Sequence, residues 1–198
     1  MQQFWDERFS SETYLYGESP NPQFKNFLDS NTPGKILLPG EGEGRNAVYA
    51  AMQNWSVSAI DQSLVGKEKA LSLASKNKVK IDYHIGDLLK HPYKTEQFDA
   101  IALVFLHLPK ELRFNIHQQL TSLLKTGAKL LIVGFSEDQL KYNSGGPKDI
   151  EMLYSTDKLQ SDFKDLQIDR NENVMANLEE GIGHKGQASL IVFEATKK

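Results

Sequence analysis

Three glycines at alternate positions, Gly40, Gly42 and Gly44, separate an apolar run from an alanine-rich one. The run before them, Ile36 to Leu38, is short and continuously apolar, as a strand buried on both faces of a parallel sheet is. The residues after them, including Ala47, Ala50 and Ala51, are strong helix formers whose small side chains let a helix lie close to a sheet. Strand, glycine turn and helix in this order confine the chain to the α/β class and mark a nucleotide site. Glycine lets the backbone take a tight turn and approach a ligand without a side chain between them. The free N–H groups of a helix start attract anionic groups. The next acid that ends a strand is Asp61, 21 positions after Gly40, where a carboxylate reaches the hydroxyls of a bound ribose.

The alternation continues along the chain. Val57 to Ile60 reads as a second strand, and Ser63 as the N-cap of a helix through Ala70, Leu71 and Ala74. Val79 to Ile85 alternates as a third strand, with Gly86, Asp87 and Leu88 at its carboxyl end. Phe98 to Phe105 is a fourth, strongly apolar strand. Pro109 opens a helix with Leu112, Ile116, Leu120, Leu123 and Leu124 at helical spacing, and Gly127 is expected as its C-terminal cap. Ala128 to Phe135 is a fifth strand, a weakly marked one follows near Leu166–Ile168, and Ala188 to Ala195 is the last. Strands alternating with helices predict a parallel sheet covered on both faces, with ligands at the carboxyl ends of its strands. The glycine turn, Asp61, Asp87 and the residues after Phe105 all project to that edge.

Two stretches fall outside the alternation. Residues 4–17 carry Phe4, Trp5, Phe9, Tyr14 and Tyr16 around Asp6, Glu7 and Arg8, which suits either a docked amphipathic helix or a cap over the ligand site. Pro22 then starts a helix with Phe24, Phe27 and Leu28. Residues 136–155 contain Asn143-Ser144-Gly145-Gly146-Pro147 and little periodicity, as a lid or a plain surface insertion does. One domain over 1–198 is therefore expected, with an N-terminal cap at 1–30 and a lid at 136–155.

Composition narrows the function. With 39% hydrophobic and 25% charged residues the chain can build a proper core. A net charge of −3 leaves no electrostatic footprint for nucleic acid or an anionic membrane. The absence of cysteine removes disulfides, thiolate metal sites and a cysteine nucleophile, and no histidine or acid spacing suggests a metal. The N-terminus lacks the basic and apolar regions of a signal peptide, and no run is long enough to span a bilayer, so a cytoplasmic location is expected.

The glycine spacing leaves the cofactor open. From Gly40 the dinucleotide fingerprint needs a third glycine at 45, where Arg45 stands; from Gly42 it needs positions 44 and 47, which are Gly44 and Ala47. A further set of motifs decides. Phe4-Trp5-Asp6-Glu7-Arg8-Phe9 with Tyr14-Leu15-Tyr16-Gly17, then Gly40-Glu41-Gly42-Glu43-Gly44-Arg45-Asn46-Ala47, Phe98-Asp99 through Phe105, and Glu180-Gly181-Ile182-Gly183-His184-Lys185-Gly186 stand in that order. Together they resemble the class I (Rossmann-like) S-adenosylmethionine-dependent methyltransferases, in particular the small bacterial tellurite-resistance and thiopurine-methyltransferase-like group, over nearly the full length. The resemblance implies a seven-stranded, mostly parallel doubly wound sheet with helices on both faces and an antiparallel last strand. It implies S-adenosyl-L-methionine as cofactor, S-adenosyl-L-homocysteine as product and a small-molecule methyl acceptor as partner. It also implies residue roles: Gly40, Glu41, Gly42, Gly44 and Arg45 at the methionine side, Asp61 and Gln62 at the ribose, Asp87 and Leu88 at adenine, and Phe105 beside the methionine chain. One departure stands out. Many members of the group carry an acid two residues before the first glycine, where it helps receive the cofactor's amino group; here Leu38 and then Pro39 stand there. Glu41 or Glu43 is the candidate substitute.

Of the five histidines, His84, His91 and His117 read as structural or solvated, whereas His107 and His184 flank strands near the pocket. His184, in a glycine-rich loop before the last strand, is the candidate catalytic residue. Two other classes use the same features: an NAD(P)-linked oxidoreductase, and a module that binds S-adenosylmethionine without turnover.

Overall fold

The structure, a computed structural model, describes residues 2–198; Met1, the first residue of the expected cap, lies outside them. Two short helices lead, α1 (Gln2–Phe9) and α2 (Pro22–Asp29). The alternating body follows as β1 (Lys35–Pro39), α3 (Arg45–Met52), β2 (Ser56–Asp61), α4 (Leu64–Lys76), β3 (Asp82–Ile85), β4 (Phe98–Val104), α5 (Lys110–Leu123) and β5 (Leu124–Phe135). After 3-10 turns at Glu137–Lys141 and Ile150–Met152 come α6 (Thr156–Asp162), β6 (Gln167–Glu180) and β7 (His184–Thr196). The strands form one seven-stranded sheet in the order β3-β2-β1-β4-β5-β7-β6. β7 runs antiparallel to β5 and to β6, and the other pairings are parallel, as the resemblance implied.

Period-two alternation divides the core. Ile36 and Leu38 of β1 face one side with Phe24, Phe27, Ala47, Ala50, Val133 and Val192. Leu37 faces the other with Ile101, Ile116, Leu120, Leu130, Phe163 and Phe193. The α2/α3 side is lined with alanines, so backbones approach closely. The α5/α6 side is filled by branched and aromatic groups, where truncation of a residue such as Leu120 costs about 2–5 kcal/mol. Pro39 is tolerated in a central strand because it is the last residue, beyond β1's pairing to β4.

Two local expectations are corrected. Gly127 does not cap α5. That helix ends at Leu123, and the carbonyls of Ser122 and Leu123 accept from the N–H groups of Glu96 and Gln97 at 3.0 and 2.9 Å. With its C-terminal acceptors satisfied from another segment, the helix passes straight into β5, where Gly127 sits at φ +78. The weakly marked strand near Leu166–Ile168 is fourteen residues long, Gln167–Glu180. As an edge strand it has one neighbour and a largely exposed surface, so its sequence is polar. The segment 136–155 is stitched to the sheet: Gln139, 1% exposed, accepts from Ser189 N–H at 2.9 Å and donates to Ser144 Oγ and the Gly145 carbonyl.

Candidate active site

The site lies at the carboxyl edge of β1, β2, β3 and β4. Gly40, Gly42 and Gly44 have φ of +67, +60 and +89. Gly42 is held on every side: its N–H donates to Asp61 Oδ2 at 3.0 Å, its carbonyl accepts from Tyr83 Oη at 2.6 Å, and a Cβ there would lie 3.1 Å from Cζ of Phe9. At Gly44 a Cβ would come within 2.4 Å of Ala70 Cβ, so this glycine lets α4 pack on the turn. The turn is therefore glycine-rich partly to seat α1 and α4.

The acids of the turn separate by environment. Glu41 Oε1 accepts from Ala47 N–H at 2.7 Å, capping α3 from within the turn. Burial pushes its carboxyl up to about 7, with backbone N–H groups and Arg45 opposing and Asp61 reinforcing. Glu43 is 4% exposed, pairs with Lys69 Nζ at 2.5 Å and accepts from Leu15 N–H at 2.8 Å. It fastens the N-terminal segment and is not a free acceptor for a ligand. Leu38 is in the core at 1% exposure, so of the three only Glu41 offers an acid at the turn. Asp61, half-buried, also accepts from Ser63 N–H at 2.9 Å; burial raises its carboxyl above the ordinary range against these backbone donors. Gln62 follows it, half-buried. Asp87 Oδ1 accepts from Leu89 N–H at 3.0 Å, and half-buried Leu88 packs against the α5 side of the core.

Arg45 is 7% exposed, ion-paired with Glu180 and donating to the Tyr16 carbonyl at 3.1 Å. It joins the turn to the cap and to the β6–β7 hairpin. Phe105, just past β4, holds a left-handed φ of +55, a strained conformation for a bulky residue that costs about 1–3 kcal/mol and is typical of functional sites. Its ring lies 4.8 Å from Phe135 and 4.3 Å from His184. His184, 5% exposed, is further walled by Tyr16 at 4.4 Å and Phe135 at 5.1 Å. The backbone of Gly145, whose Cβ would lie 2.6 Å from His184 Cδ2, closes another side. Burial lowers the imidazole's affinity for a proton, and Glu180 partly restores it.

His107 has both nitrogens engaged. Nδ1 meets the Met152 carbonyl at 2.8 Å and Nε2 accepts from Phe135 N–H at 3.1 Å, so it is structural. Burial pushes its pKa down to about 4. Sequence reasoning missed Tyr83, Lys69, Asn21 and Glu180 as builders of the site. Tyr83 and Lys69 looked like ordinary strand and helix residues, and only Glu180 stood inside a quoted motif.

The arrangement fits S-adenosylmethionine: left-handed glycines at β1, carboxylates at the ends of β2 and β3, and a neutral imidazole among aromatic rings beyond β4. Sheet, turn and strand-end acids define a Rossmann-like α/β protein with a nucleotide-type site, and the family match makes it an S-adenosylmethionine-dependent methyltransferase. The model of the thiopurine S-methyltransferase family matches residues 1–185, and the chain belongs to that family. No curated protein sequence matches the chain. Solved structures share the fold. One, described by the conversion of a disulfide bond into a thioacetal group during echinomycin biosynthesis, superposes with a TM-score of 0.79 at 16% identity, covering 100% of this chain and 92% of its own. TehB from Haemophilus influenzae gives 0.74 at 18% identity, covering 100% and 67%. A SAM-dependent methyltransferase from Aquifex aeolicus gives 0.69 at 17% identity, covering 100% of both. Among the described residues no helix is long and apolar enough to cross a membrane.

Proposed function

We propose that this methyltransferase acts on a small-molecule acceptor held beside the aromatic cluster that encloses His184. The observation that carries the reading is enclosure. Tyr16 from the cap, Phe105 from the β4 edge, Phe135 from β5 and the Gly145 backbone surround one buried imidazole. An imidazole enclosed by the N-terminal segment and by the Gly145 backbone suits a compact acceptor better than a polymer. When bound, S-adenosylmethionine supplies a methyl group activated by its sulfonium, so the protein's part is alignment and exclusion of water. The glycine turn shapes the methionine side, and Glu41 receives the amino group in place of the acid missing at Leu38. Asp61 takes the ribose hydroxyls with Gln62 beside it. Asp87 accepts from the adenine amine and Leu88 packs on the ring. Arg45 holds the turn from behind, and Phe105 lines the methionine chain. His184 is neutral near pH 7 and can remove the proton of a neutral acceptor as its bond to the methyl carbon forms. The family's name puts heteroaromatic thiols among the acceptors to try.

The test uses S-adenosylmethionine carrying a labelled methyl group. Label is expected in the small-molecule fraction with a panel of thiols, phenols, amines and oxyanions. His184→Ala is expected to cut turnover at least about tenfold with little change in cofactor affinity by calorimetry. Label only in protein or nucleic acid would overturn the small-acceptor reading. Full turnover by the alanine variant would remove His184 from it.

A further inference from the structure

We infer that Glu180 is the positioning residue of this site: held by Arg45 and Asn21, its carboxylate fixes the proton of His184 on Nδ1 and leaves Nε2 as the proton acceptor. The inference rests on the reading of His184 above and adds the group that sets that ring's chemistry. Glu180 ends β6 and is 8% exposed. One side of its carboxylate pairs with Arg45, and Oε1 accepts from Asn21 Nδ2 at 2.8 Å. Asn21 is itself fixed: its Oδ1 caps α2 through the N–H groups of Gln23 and Phe24, and its own N–H donates to Asn46 Oδ1 at 3.0 Å. All of these side chains are buried, so the carboxylate cannot turn away.

Nδ1 of His184 is buried, makes no hydrogen bond among the described residues, and faces Glu180 Oε2 at 4.0 Å. A lone pair on Nδ1 would oppose the carboxylate, whereas an N–H there is attracted to it. The charges agree. Burial pushes the Glu180 carboxyl up, but His184 and Arg45 together hold it below its ordinary value, so it stays ionised. The groups bearing on His184 are Glu180 from β6, Arg45 from α3 and Arg8 from α1, with the Tyr16 phenol packed on the ring and His107 beyond. Arg45 and Arg8 oppose protonation of the ring, Glu180 favours it, and burial dominates. Glu180 thereby orients the neutral ring, while burial, aided by Arg45 and Arg8, keeps it from becoming an imidazolium. The same ion pair ties the cofactor turn to the hairpin that carries His184.

The experiment is nitrogen NMR on protein labelled with ¹⁵N-histidine, with the His184 signals assigned by their loss in His184→Asn. Wild type is expected to show the Nδ1–H tautomer at pH 7.5. In Glu180→Gln the ratio of Nδ1–H to Nε2–H is expected to fall about tenfold, the electrostatic equivalent of about one pKa unit. The ring's titration midpoint should also move to lower pH, since Arg45 and Arg8 remain. Glu180→Asp should keep the Nδ1–H form. Because Glu180→Gln leaves a buried guanidinium without its partner, the double variant Arg45→Met/Glu180→Gln serves as a second probe and should lose the tautomer preference as well. A wild-type proton on Nε2, or an unchanged tautomer in a folded Glu180→Gln or double variant, would overturn the inference. Should His184→Ala keep full turnover while Glu180→Gln shifts the tautomer, the catalytic reading of His184 fails and the control by Glu180 stands.

Discussion

At the scale of single residues, Glu41 connects the missing acid at position 38 to a measurable cost. Its folded carboxyl titrates at about 7, above its ordinary value of 4.5. A carboxyl raised on folding contributes stability that is fully present below the unfolded value and is lost as pH rises through the folded one. The apo protein therefore carries an unfavourable buried charge at pH 8, which a cationic amino group of the cofactor would offset. Glu41→Gln, which keeps an acceptor for Ala47 N–H, is expected to raise the apo melting temperature at pH 8 and to match wild type near pH 4. It should weaken S-adenosylmethionine binding at pH 8. Wild-type affinity should decline below pH 7 by up to about tenfold per pH unit. Calorimetric affinities and melting curves across pH 4–8 check both; equal affinity and a flat pH profile in the two proteins would remove Glu41 from the amino-group site. Gly42 gives a less selective probe. A valine there meets Phe9 as well as any ligand, and Asp61 orders Gly42 and Ser63 in the apo protein, so substitutions at 42 and 61 change the turn itself.

Among the elements, α1 and the chain after it depend on one lysine. Lys69 Nζ, from α4, meets Glu43 and the carbonyls of Phe9, Ser11 and Thr13 at 3.3, 2.8 and 2.9 Å, and lies over the Tyr14 ring. α1 itself buries only Phe9 and reaches α4 through Asp6, whose carboxylate accepts from Ser63 Oγ at 2.6 Å and Val65 N–H at 3.2 Å. The expected behaviour is graded. Amides of α1 should exchange rapidly, whereas those of Leu15 and Tyr16, tied to Glu43, should be slow. Lys69→Met leaves Glu43 buried and unpaired, a change that costs about 3 kcal/mol. It should raise hydrogen exchange across 9–16 while leaving β4 and β5 unchanged. Exchange at 9–16 identical to wild type would show that Lys69 does not hold the cap.

For the molecule as a whole, the α5–α6 side contains a second buried cluster. Asp162 accepts from His117 Nδ1 and Arg113 Nε, both at 2.8 Å, and its backbone carbonyl accepts from Gln118 Nε2. Burial pushes the Asp162 carboxyl up, but His117 and Arg113 hold it net below its ordinary value. Burial keeps His117 neutral by lowering its affinity for a proton. Both shifts have the same sign in stability. The contribution of His117 is present above the unfolded histidine range near 6.5 and declines as pH falls through it, and that of Asp162 is lost further into acid. Urea unfolding of the Glu41→Gln protein, which lacks the opposing titration of Glu41, should therefore show stability falling from about pH 6.5 downward. Asp162→Asn should cost about 3 kcal/mol at pH 7, with a smaller difference at pH 3. An equal cost at both pH values would make the contact one of packing.

The sequence alone determined the periodic part of this protein. Ile36–Leu38, Ala100–Leu103 and Leu130–Phe135 each bury both faces, so their hydrophobicity is continuous and their strands are readable. The glycine turn and the strand-end acids Asp61 and Asp87 follow by position along the chain, and with them the place of a nucleotide-type site, while the further motifs narrowed the cofactor. Only the tertiary structure decided what depends on distant partners. β6 is polar because an edge strand packs on one neighbour, and the end of α5 is satisfied by Glu96 and Gln97 rather than by a local cap. Arg45, next to the cofactor turn in sequence, is turned away to meet Glu180, 135 positions later. Glu43, alike in sequence to Glu41, is committed to Lys69 and Leu15. Local spacing fixes which backbone enters a turn; burial and long-range pairing fix which of its charges remain available for a ligand.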